Sequence, residues 1–418
     1  MDGQQVASKD GHQQIPDSGV WVATAACSVI REVRSAPRSQ LDRDRKSTVT
    51  EARKLSSPAL VAVVGFVIVA VLVLRALTAL DWDATVFVGF GEGATPTRAY
   101  AEERLGEVFL RVGQGHDGKF FFVQANDPWL VEPVENAEVL DLPLYRSQRM
   151  LYPMLAGGSG LLGPEQIVWG LLVTNLVAIA LGTWGTAVVA QRMGVSPWLG
   201  LAFAFNIGFI SSVTVSGAGI LAAAAAFWAV AALLDGRSYP AIVLLAAAAL
   251  TREVMLVAAV GAAWWLWKQG RRRLAVATAL IPASVVGVWA LYLRLRLDED
   301  QESVGVVGLP LVGLAKAVPE WMGDPVALLA GFGMILLLVL YTRQVFRSQS
   351  LLGWTFLGFI PLAILFTDKV WVNWFDFTRV IAPVITAFVL LVFVGSGANR
   401  GGGADSWTEE PSSEPLPL

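Results

Sequence analysis

The stretch ALVAVVGFVIVAVLVLRALTAL, residues 59–80, is a run of apolar residues that a single arginine, Arg75, interrupts. The hydrocarbon core of a bilayer is about 30 Å thick, and a helix needs about 20 apolar residues to cross it. The stretch meets this length by itself. It therefore predicts a membrane-spanning helix.

The composition of the whole chain has the same character. Of the 418 residues, 55% are hydrophobic and 16% are charged, and the mean hydropathy is +0.57. Soluble proteins carry about 25% charged residues. This composition excludes an ordinary soluble domain and predicts a polytopic, all-α integral membrane protein of the cell membrane.

The apolar runs predict about ten transmembrane helices. Two of them, 238–251 and 254–268, are short and are separated only by two charged residues, which favours a tight helical hairpin. The predicted segments are 58–80, 166–190, 196–214, 217–235, 238–251, 254–268, 274–293, 325–341, 351–367 and 379–395.

The distribution of basic residues predicts the orientation, because short cytoplasmic connections are enriched in lysine and arginine. With the N-terminus inside, the inner turns carry Arg192, Arg237, Lys268, Arg271, Arg272, Arg273, Arg343 and Arg347. The outer connections then carry the acidic Asp298, Glu299, Asp300, Glu302, Glu320, Asp324, Asp368 and Asp376. We therefore expect both termini to be cytoplasmic.

Polar segments flank the membrane domain, which we place at 58–395. Residues 1–57 are expected to form a cytoplasmic, disordered arm, and residues 396–418, rich in Gly, Ser, Pro and Glu, a disordered tail. The chain has one cysteine, Cys27, so it cannot form an internal disulfide. Nothing in the sequence indicates nucleic-acid binding.

The long outer loop, 81–164, is the exception among short connections, and long loops of this kind are usually functional. Within it, residues 97–112 place Leu105, Val108, Phe109 and Val112 at helical spacing, which predicts an amphipathic helix in the membrane interface. The stretch GHDGKFFFVQANDP, 115–128, follows. We expect Asp117 to be presented there by a glycine-permitted turn.

The residue types in this loop suit chemistry on a lipid phosphate. A carboxylate suits a general base acting on a hydroxyl, and Asp83 and Asp117 are the candidates. Arginine suits a phosphate, which it can bind with two parallel hydrogen bonds. The candidate phosphate ligands are Arg146, Arg149, Arg379 and Lys119, and the candidate substrate or lipid contacts are His116, Phe121, Tyr145 and Tyr152.

Structural roles compete with each of these interpretations. Asp-Gly is a common turn pair, Asp81 and Asp83 also suit a helix end, and phenylalanines near an interface often anchor a helix. The arginines have acidic neighbours of their own. Arg146 and Arg149 are expected to pair with Asp141 or Glu138, and Arg252 with Glu253, if they are structural.

Several motifs occur in an order that resembles a family of bacterial polytopic proteins similar to the GT-C superfamily of membrane glycosyltransferases. They span most of residues 60–395. The motifs are Asp83 directly after the first helix, HDGKFFFVQANDP (116–128), LPLYRSQRMLYP (142–153), LTRE (250–253), GLPLVGL (308–314) and FTRVIAPV (377–384). Lys119 departs from the pattern, which has glutamine there.

The resemblance implies a fold with interfacial helices in the first outer loop and an inverting sugar transfer at the outer face. The donor would be a polyprenyl-phosphate sugar and the acceptor an envelope glycan, lipid or protein. Asp117 or Asp83 would deprotonate the acceptor hydroxyl. Arg146, Arg149 and Arg379 would neutralise the leaving phosphate.

Two other functions remain open at this stage. A multi-pass transporter would place ionisable residues or broken helices near the midplane, and Gly217–Gly219 is a candidate helix interruption. A non-catalytic component of envelope assembly would tolerate loss of Asp117. No metal ligand is assigned, although a divalent metal would fit if Asp81, Asp83 and Asp117 converged.

Overall fold

Residues 57–297 and 307–398 are described by the computed structural model, and most of them are helical. Predictions for 1–56, 298–306 and 399–418 lie outside these residues. The helices are α1 (Pro58–Ala79), α2 (Thr95–Leu105), α3 (Gly118–Asn126), α4 (Pro133–Val139), α5 (Pro143–Arg146), α6 (Leu151–Ala156), α7 (Pro164–Arg192), α8 (Leu201–Ala204), α9 (Ile207–Val213), α10 (Gly219–Leu234), α11 (Ser238–Thr251), α12 (Leu256–Lys268), α13 (Arg272–Arg296), α14 (Val312–Trp321), α15 (Pro325–Ser348), α16 (Leu351–Leu357), α17 (Phe359–Leu365), α18 (Asp368–Trp371) and α19 (Trp374–Ala398).

Five helices in the described residues are long and apolar enough to cross a membrane: α1, α7, α13, α15 and α19. Shorter apolar helices are α10, α11 and the α16–α17 pair. The membrane character of the chain is thereby supported, whereas the number of ten crossings stays a prediction. Helix α19 continues to Ala398, beyond the predicted boundary at 395.

The predicted segment 196–214 is not one continuous helix. It divides into a 3₁₀ turn at Pro197–Gly200 followed by α8 and α9. The break lies at Asn206, whose side-chain oxygen accepts a hydrogen bond from the Gly208 backbone N–H at 3.0 Å. Its Nδ2 donates to the Ala382 carbonyl at 2.8 Å. Asn206 therefore caps the N-terminus of α9. Its hydrogen bond to Ala382 also links α9 to α19 at the point where the predicted helix is interrupted.

Small residues allow the helices of the core to approach one another closely. Helix α7 packs along both α1 and α10. At Gly182 a Cβ atom would lie 2.1 Å from the Phe203 ring, and at Gly185 it would lie 3.0 Å from Trp228. The absence of these side chains lets the neighbouring rings fit against α7, as is typical of helices that pack in membranes.

The outer loop is folded, and its first helix is shorter than predicted. Helix α2 ends at Leu105, and Gly106 follows with a positive φ of 79°, a backbone conformation that glycine adopts readily. Residues Leu110–Arg111 form strand β2, which pairs in parallel with strand β1, Phe90–Gly91. The prediction of one amphipathic helix over 97–112 was therefore wrong beyond residue 105.

Connections predicted to share a side of the membrane contact each other. Among the predicted inner turns, Arg192 Nη2 lies 3.0 Å from Asp235 Oδ2, and Lys268 Nζ lies 2.7 Å from Gln349 Oε1. Among the predicted outer connections, Arg149 bonds Glu253. These contacts are compatible with the alternation of inner and outer connections that the sequence predicts.

Single-cysteine labelling tests this orientation. In a Cys27→Ser background, we expect Glu132→Cys to react with a membrane-impermeant maleimide on intact cells, because residue 132 is exposed in the outer loop. Arg237→Cys, exposed in a predicted inner turn, should react only after permeabilisation. Labelling of both from the same side would contradict the predicted topology.

Candidate active site

A cavity of about 660 Å³ opens among the predicted outer connections. Its walls come from the outer loop, from the α11–α12 connection and from residues near α17, α18 and α19. The charged side chains that line it are Asp117, Asp141, Arg146, Arg149, Arg252, Glu253, Lys369, Asp376 and Arg379. Its apolar wall is formed by Leu142, Val254, Val307, Leu362, Phe366, Val370 and Val380.

Three guanidinium groups surround the carboxylate of Asp117. Arg146 Nη1 lies 3.2 Å from Oδ1, Arg379 Nη2 lies 3.4 Å from Oδ2, and Arg149 Nη1 lies 3.6 Å from Oδ2. The side chains of Arg149 and Arg379 are 9% and 8% exposed. The distances exceed the 2.7–2.9 Å of a close charged hydrogen bond, so Asp117 is shared loosely among the three arginines.

Each of these arginines also binds a second carboxylate. Arg146 donates to Asp141 through Nε at 2.8 Å and through Nη2 at 2.9 Å. Arg149 donates to both oxygens of Glu253 at 3.1 Å. Arg379 Nη1 lies 3.6 Å from Asp376 Oδ1. Asp141 and Glu253 therefore hold the guanidinium groups of Arg146 and Arg149 in place independently of Asp117, whereas Asp376 lies too far from Arg379 for a close hydrogen bond.

One cation of the cavity wall, Arg252, has no such partner. Within the described residues it makes no ion pair, and its Nε atom is buried without a hydrogen-bond partner. Among the described residues that line the cavity, five side chains are cationic and four are carboxylates, so one positive charge is in excess in this part of the chain. These described residues favour an anion.

The backbone around Asp117 requires glycine at the next position. A Cβ atom on Gly118 would lie 2.2 Å from the Val88 carbonyl oxygen and 2.5 Å from that of Val215. Asp117 immediately precedes α3, and its carbonyl accepts the first hydrogen bonds of that helix from Phe120 and Phe121. Gly118 therefore lets α3 begin against the loop that follows α9, which places Asp117 at the cavity.

The local electrostatics keep Asp117 ionised and His116 neutral. Burial would raise the pKa of Asp117, but Arg379, Arg149 and Arg146 outweigh it and hold that pKa well below its usual range. Burial and the charges of Arg379 and Arg111 lower the pKa of His116 to about 4. Neither group changes charge near neutral pH.

The structure brings five of the predicted site residues together: Asp117, Tyr145, Arg146, Arg149 and Arg379 line the same cavity. Tyr145 accepts a hydrogen bond from Arg149 Nη2 at 2.6 Å through its hydroxyl oxygen. The order of the motifs along the chain had suggested this group, and the fold assembles it from the outer loop and α19.

The other predicted residues lie outside the lining of this cavity. Asp83 accepts hydrogen bonds from the Thr85 backbone N–H at 2.8 Å and from the Thr85 hydroxyl at 2.6 Å, so it caps a 3₁₀ turn. Lys119 is buried and donates to the Gln114 carbonyl oxygen. The ring of His116 lies 5.0 Å from the ring of Phe375.

Phe121 and Tyr152 belong to the protein core. Their rings meet edge to face at 5.1 Å, and the Tyr152 hydroxyl donates to the Leu171 carbonyl at 3.0 Å. Phe120 and Phe122 are buried as well. The burial of Phe121 and Tyr152 does not agree with their candidate role as substrate or lipid contacts, because α3 turns all three phenylalanines toward other helices.

Sequence reasoning did not select several residues of the cavity wall, among them Arg252, Glu253 and Asp376. The charged pair in LTRE was a signal, because it lies directly between two apolar segments and ionisable residues at membrane depth are rare and often functional. Glu253 pairs with Arg149 rather than closing a pair with Arg252. In the described part of the chain, Asp81, Asp83 and Asp117 do not form a metal-binding group of three.

No protein-family model matches this chain, and no curated protein or solved structure shows a significant match to it. The motif resemblance is therefore not tested by relatives.

Substitution at Gly118 tests how Asp117 is positioned. We expect Gly118→Ala to destabilise the protein by about 1–3 kcal/mol, the usual range for overpacking, measured by thermal unfolding in detergent. Gly287→Ala is the control, because a Cβ there meets no atom within 4 Å. Equal unfolding temperatures for the two variants would show that the contact at Gly118 is not tight.

The charge state of His116 can be measured directly. In a His12→Gln variant, ¹⁵N-histidine NMR should give a titration midpoint near pH 4. An unfolded histidine titrates at about pH 6.5. Between about pH 4 and pH 6.5, the unfolded state therefore carries a proton on this histidine that the folded state does not. The free energy of unfolding should therefore decrease as the pH falls through this window. A midpoint near 6.5 would contradict the burial of the ring.

Proposed function

We propose that this protein is a membrane glycosyltransferase that transfers a sugar from a polyprenyl-phosphate donor to an envelope acceptor at the outer face. The observation that carries the proposal is the ring of arginines around one carboxylate in a cavity that also has an apolar wall. A lipid-linked sugar phosphate presents a negative charge, an apolar chain and a polar sugar. The arginines suit the charge, the apolar wall suits the chain, and the other polar side chains of the cavity suit the sugar.

The positive side chains support a phosphate ligand. Arg146, Arg149 and Arg379 already converge on an anionic group. Arg252 adds a cationic side chain that forms no salt bridge with a described carboxylate. Planar guanidinium groups bind phosphate oxygens in pairs. The cavity volume of about 660 Å³ lies within the usual range of about 300–1,000 Å³ for small-molecule sites.

Asp117 is assigned as the general base. In the proposed step, its carboxylate accepts the proton of the acceptor hydroxyl while the hydroxyl oxygen attacks the anomeric carbon of the sugar. The bond from that carbon to the phosphate oxygen breaks, and the lipid phosphate leaves with the electron pair. Asp83 is not assigned this role, because its carboxylate caps the turn at Thr85.

The low pKa of Asp117 in the free protein makes it a weak base, and donor binding offers a way to correct this. An anionic phosphate would compete with Asp117 for Arg149 and Arg379, whose contacts to Asp117 are 3.4–3.6 Å long. Weaker contacts to the arginines raise the proton affinity of a carboxylate. In this proposal the base becomes effective only after the donor has bound.

The membrane arrangement that belongs to this proposal is the GT-C-like one, with about ten crossings and both termini cytoplasmic. The cavity residues come from connections that this topology assigns to one side, and the contacts among Arg192, Asp235, Lys268 and Gln349 come from the opposite side. The donor would then enter from the outer leaflet.

The decisive experiment uses protein in lipid nanodiscs with a panel of radiolabelled polyprenyl-phosphate sugars. We expect release of the lipid phosphate or transfer to envelope glycans. Asp117→Asn should lose activity by at least about 10²-fold, a usual contribution of a general base. Its affinity for the donor should be equal or higher, because the internal competitor for the arginines has lost its charge.

Asp83→Asn is the matched comparison, since it removes the other candidate carboxylate outside the cavity. Retained turnover in Asp83→Asn with loss in Asp117→Asn would support the assignment. Equal turnover in Asp117→Asn and wild type would exclude Asp117 as the base. If folded wild-type protein binds none of the donors, the proposed function is wrong, and flux measurements in liposomes would then test transport.

A further inference from the structure

A group of basic residues lies where α11 begins, where α12 ends and where α13 begins. Arg237 immediately precedes α11, Lys268 is the last residue of α12, and Arg271, Arg272 and Arg273 lie at the start of α13. All five residues are exposed. We call this group the basic patch.

The basic patch lies at the opposite end of α11 and α12 from the cavity that contains Asp117. Arg252 directly follows α11, Val254 comes two residues before α12, and both line that cavity. Between Ser238 and Thr251, α11 rises by about 20 Å. The patch is therefore a separate feature, and the proposed sugar transfer does not use it.

The hydrogen bonds that the basic patch makes to side chains go to neutral partners. Arg271 Nη2 donates to the Ser238 hydroxyl oxygen at 3.3 Å, and this bond joins the start of α11 to the start of α13. Lys268 Nζ donates to Gln349 Oε1 at 2.7 Å. Within the described part of the chain, none of the five basic residues forms an ion pair with a carboxylate. These contacts leave the positive charge of the patch uncompensated.

The acidic residue closest to the patch in sequence, Asp235, is bound by a different arginine. It lies in the same turn as Arg237, but Arg192 donates to both of its carboxylate oxygens, at 2.5 Å and 3.0 Å. The pair of Arg192 and Asp235 is neutral as a unit. Arg237 therefore adds its charge to that of the patch.

The position of the patch along α13 indicates a lipid surface as its partner. Helix α13 is long and apolar enough to cross a membrane, and it begins at Arg272, so the patch lies where this helix meets the headgroups. Beside it, Trp267 and Tyr239 are 46% and 80% exposed. The guanidinium carbon of Arg272 lies 5.4 Å from the centre of the Trp267 ring. Exposed tryptophan and tyrosine are typical of the membrane–water interface.

We infer that the basic patch binds the headgroups of anionic phospholipids at the membrane face opposite the cavity that contains Asp117. Guanidinium groups bind phosphate oxygens through two parallel hydrogen bonds, and an anionic leaflet attracts clustered basic residues. The phosphate of a zwitterionic lipid is balanced by the cation of the same headgroup. The patch therefore selects anionic lipids by their net charge, and this selection is independent of the proposed glycosyltransferase activity.

Native mass spectrometry of the full chain in detergent measures this selection. The probes are phosphatidylglycerol and phosphatidylcholine with the same acyl chains. We expect tighter binding of phosphatidylglycerol, and Arg272→Gln should weaken that binding about fivefold, the contribution of one basic residue near an anionic surface. The affinity for phosphatidylcholine should not change. Equal affinities of the wild-type protein for the two lipids would overturn the inference.

The matched control is Arg294→Gln. Arg294 is an exposed arginine near the other end of α13, and it forms no ion pair with a carboxylate of the described residues. This variant should bind phosphatidylglycerol as the wild type does, and unfolding temperatures in phosphatidylcholine nanodiscs check that both variants are folded. An equal loss of affinity in both variants would show attraction to the overall charge of the protein and would reject the patch as the binding site.

Photocrosslinking of the wild-type protein in nanodiscs gives the position of the lipid. Phosphatidylglycerol with a diazirine in its headgroup should label the start of α11 and the end of α12, at residues such as Tyr239 and Trp267, and excess phosphatidylglycerol should suppress this label. Label confined to the opposite ends of these helices would contradict the inference. Excess glycerol phosphate should leave the label unchanged, and suppression by it would assign the patch to a soluble phosphate instead.

The C-terminal segment of the chain is the rival occupant of the patch. Residues 399–418 contain Asp405, Glu409, Glu410 and Glu414, and the predicted topology assigns them to the same side of the membrane. A variant that ends at residue 398 should bind phosphatidylglycerol with the affinity of the wild type. A gain of affinity on removal of the segment would assign the patch to this acidic segment and overturn the inference.

Discussion

The interaction on which the site depends is the sharing of the Asp117 carboxylate among three guanidinium groups. Arg146 and Arg149 come from the outer loop and Arg379 comes from α19, so the carboxylate joins segments that are far apart in sequence. Breaking a buried ion pair by removing one partner is strongly destabilising, because the remaining charge stays buried without compensation. Loss of the Asp117 charge would leave the arginines repelling one another, and Asp141, Glu253 and Asp376 limit that repulsion.

Two of the three arginines lie closer to a second carboxylate than to Asp117. Arg146 and Arg149 are held by two hydrogen bonds each from Asp141 and Glu253, which fixes their planes. These two arginines bind Asp117 less closely, so in the proposed function an incoming anion would displace only the longer of their contacts. Arg146 and Arg149 are thus fixed by hydrogen bonds to Asp141 and Glu253 and make longer contacts to Asp117. This arrangement suits the exchange of Asp117 for a ligand better than it suits a purely structural salt bridge.

Glycines leave room for the charged side chains of the cavity. Besides Gly118, a Cβ on Gly217 would lie 3.0 Å from Arg379 Nη2, and a Cβ on Gly219 would lie 3.0 Å from Arg252 Nη1. The loop before α10, which looked like a candidate helix interruption for a transporter, thus provides room for two guanidinium groups. Its glycines allow this close approach of the arginines.

The sequence by itself determined the membrane character and the position of long helices such as α1 and α7, because hydrophobic length is a local property. It also indicated Asp117, Arg146, Arg149 and Arg379 as a group, although relying on a motif resemblance that relatives do not test. Only the tertiary structure decided that Phe121 and Tyr152 are buried, that Asn206 breaks a helix and that Arg252 lines the cavity. Each of these depends on contacts between residues distant in sequence, such as Asn206 with Ala382, and local pattern carries no information about which distant partner a side chain meets.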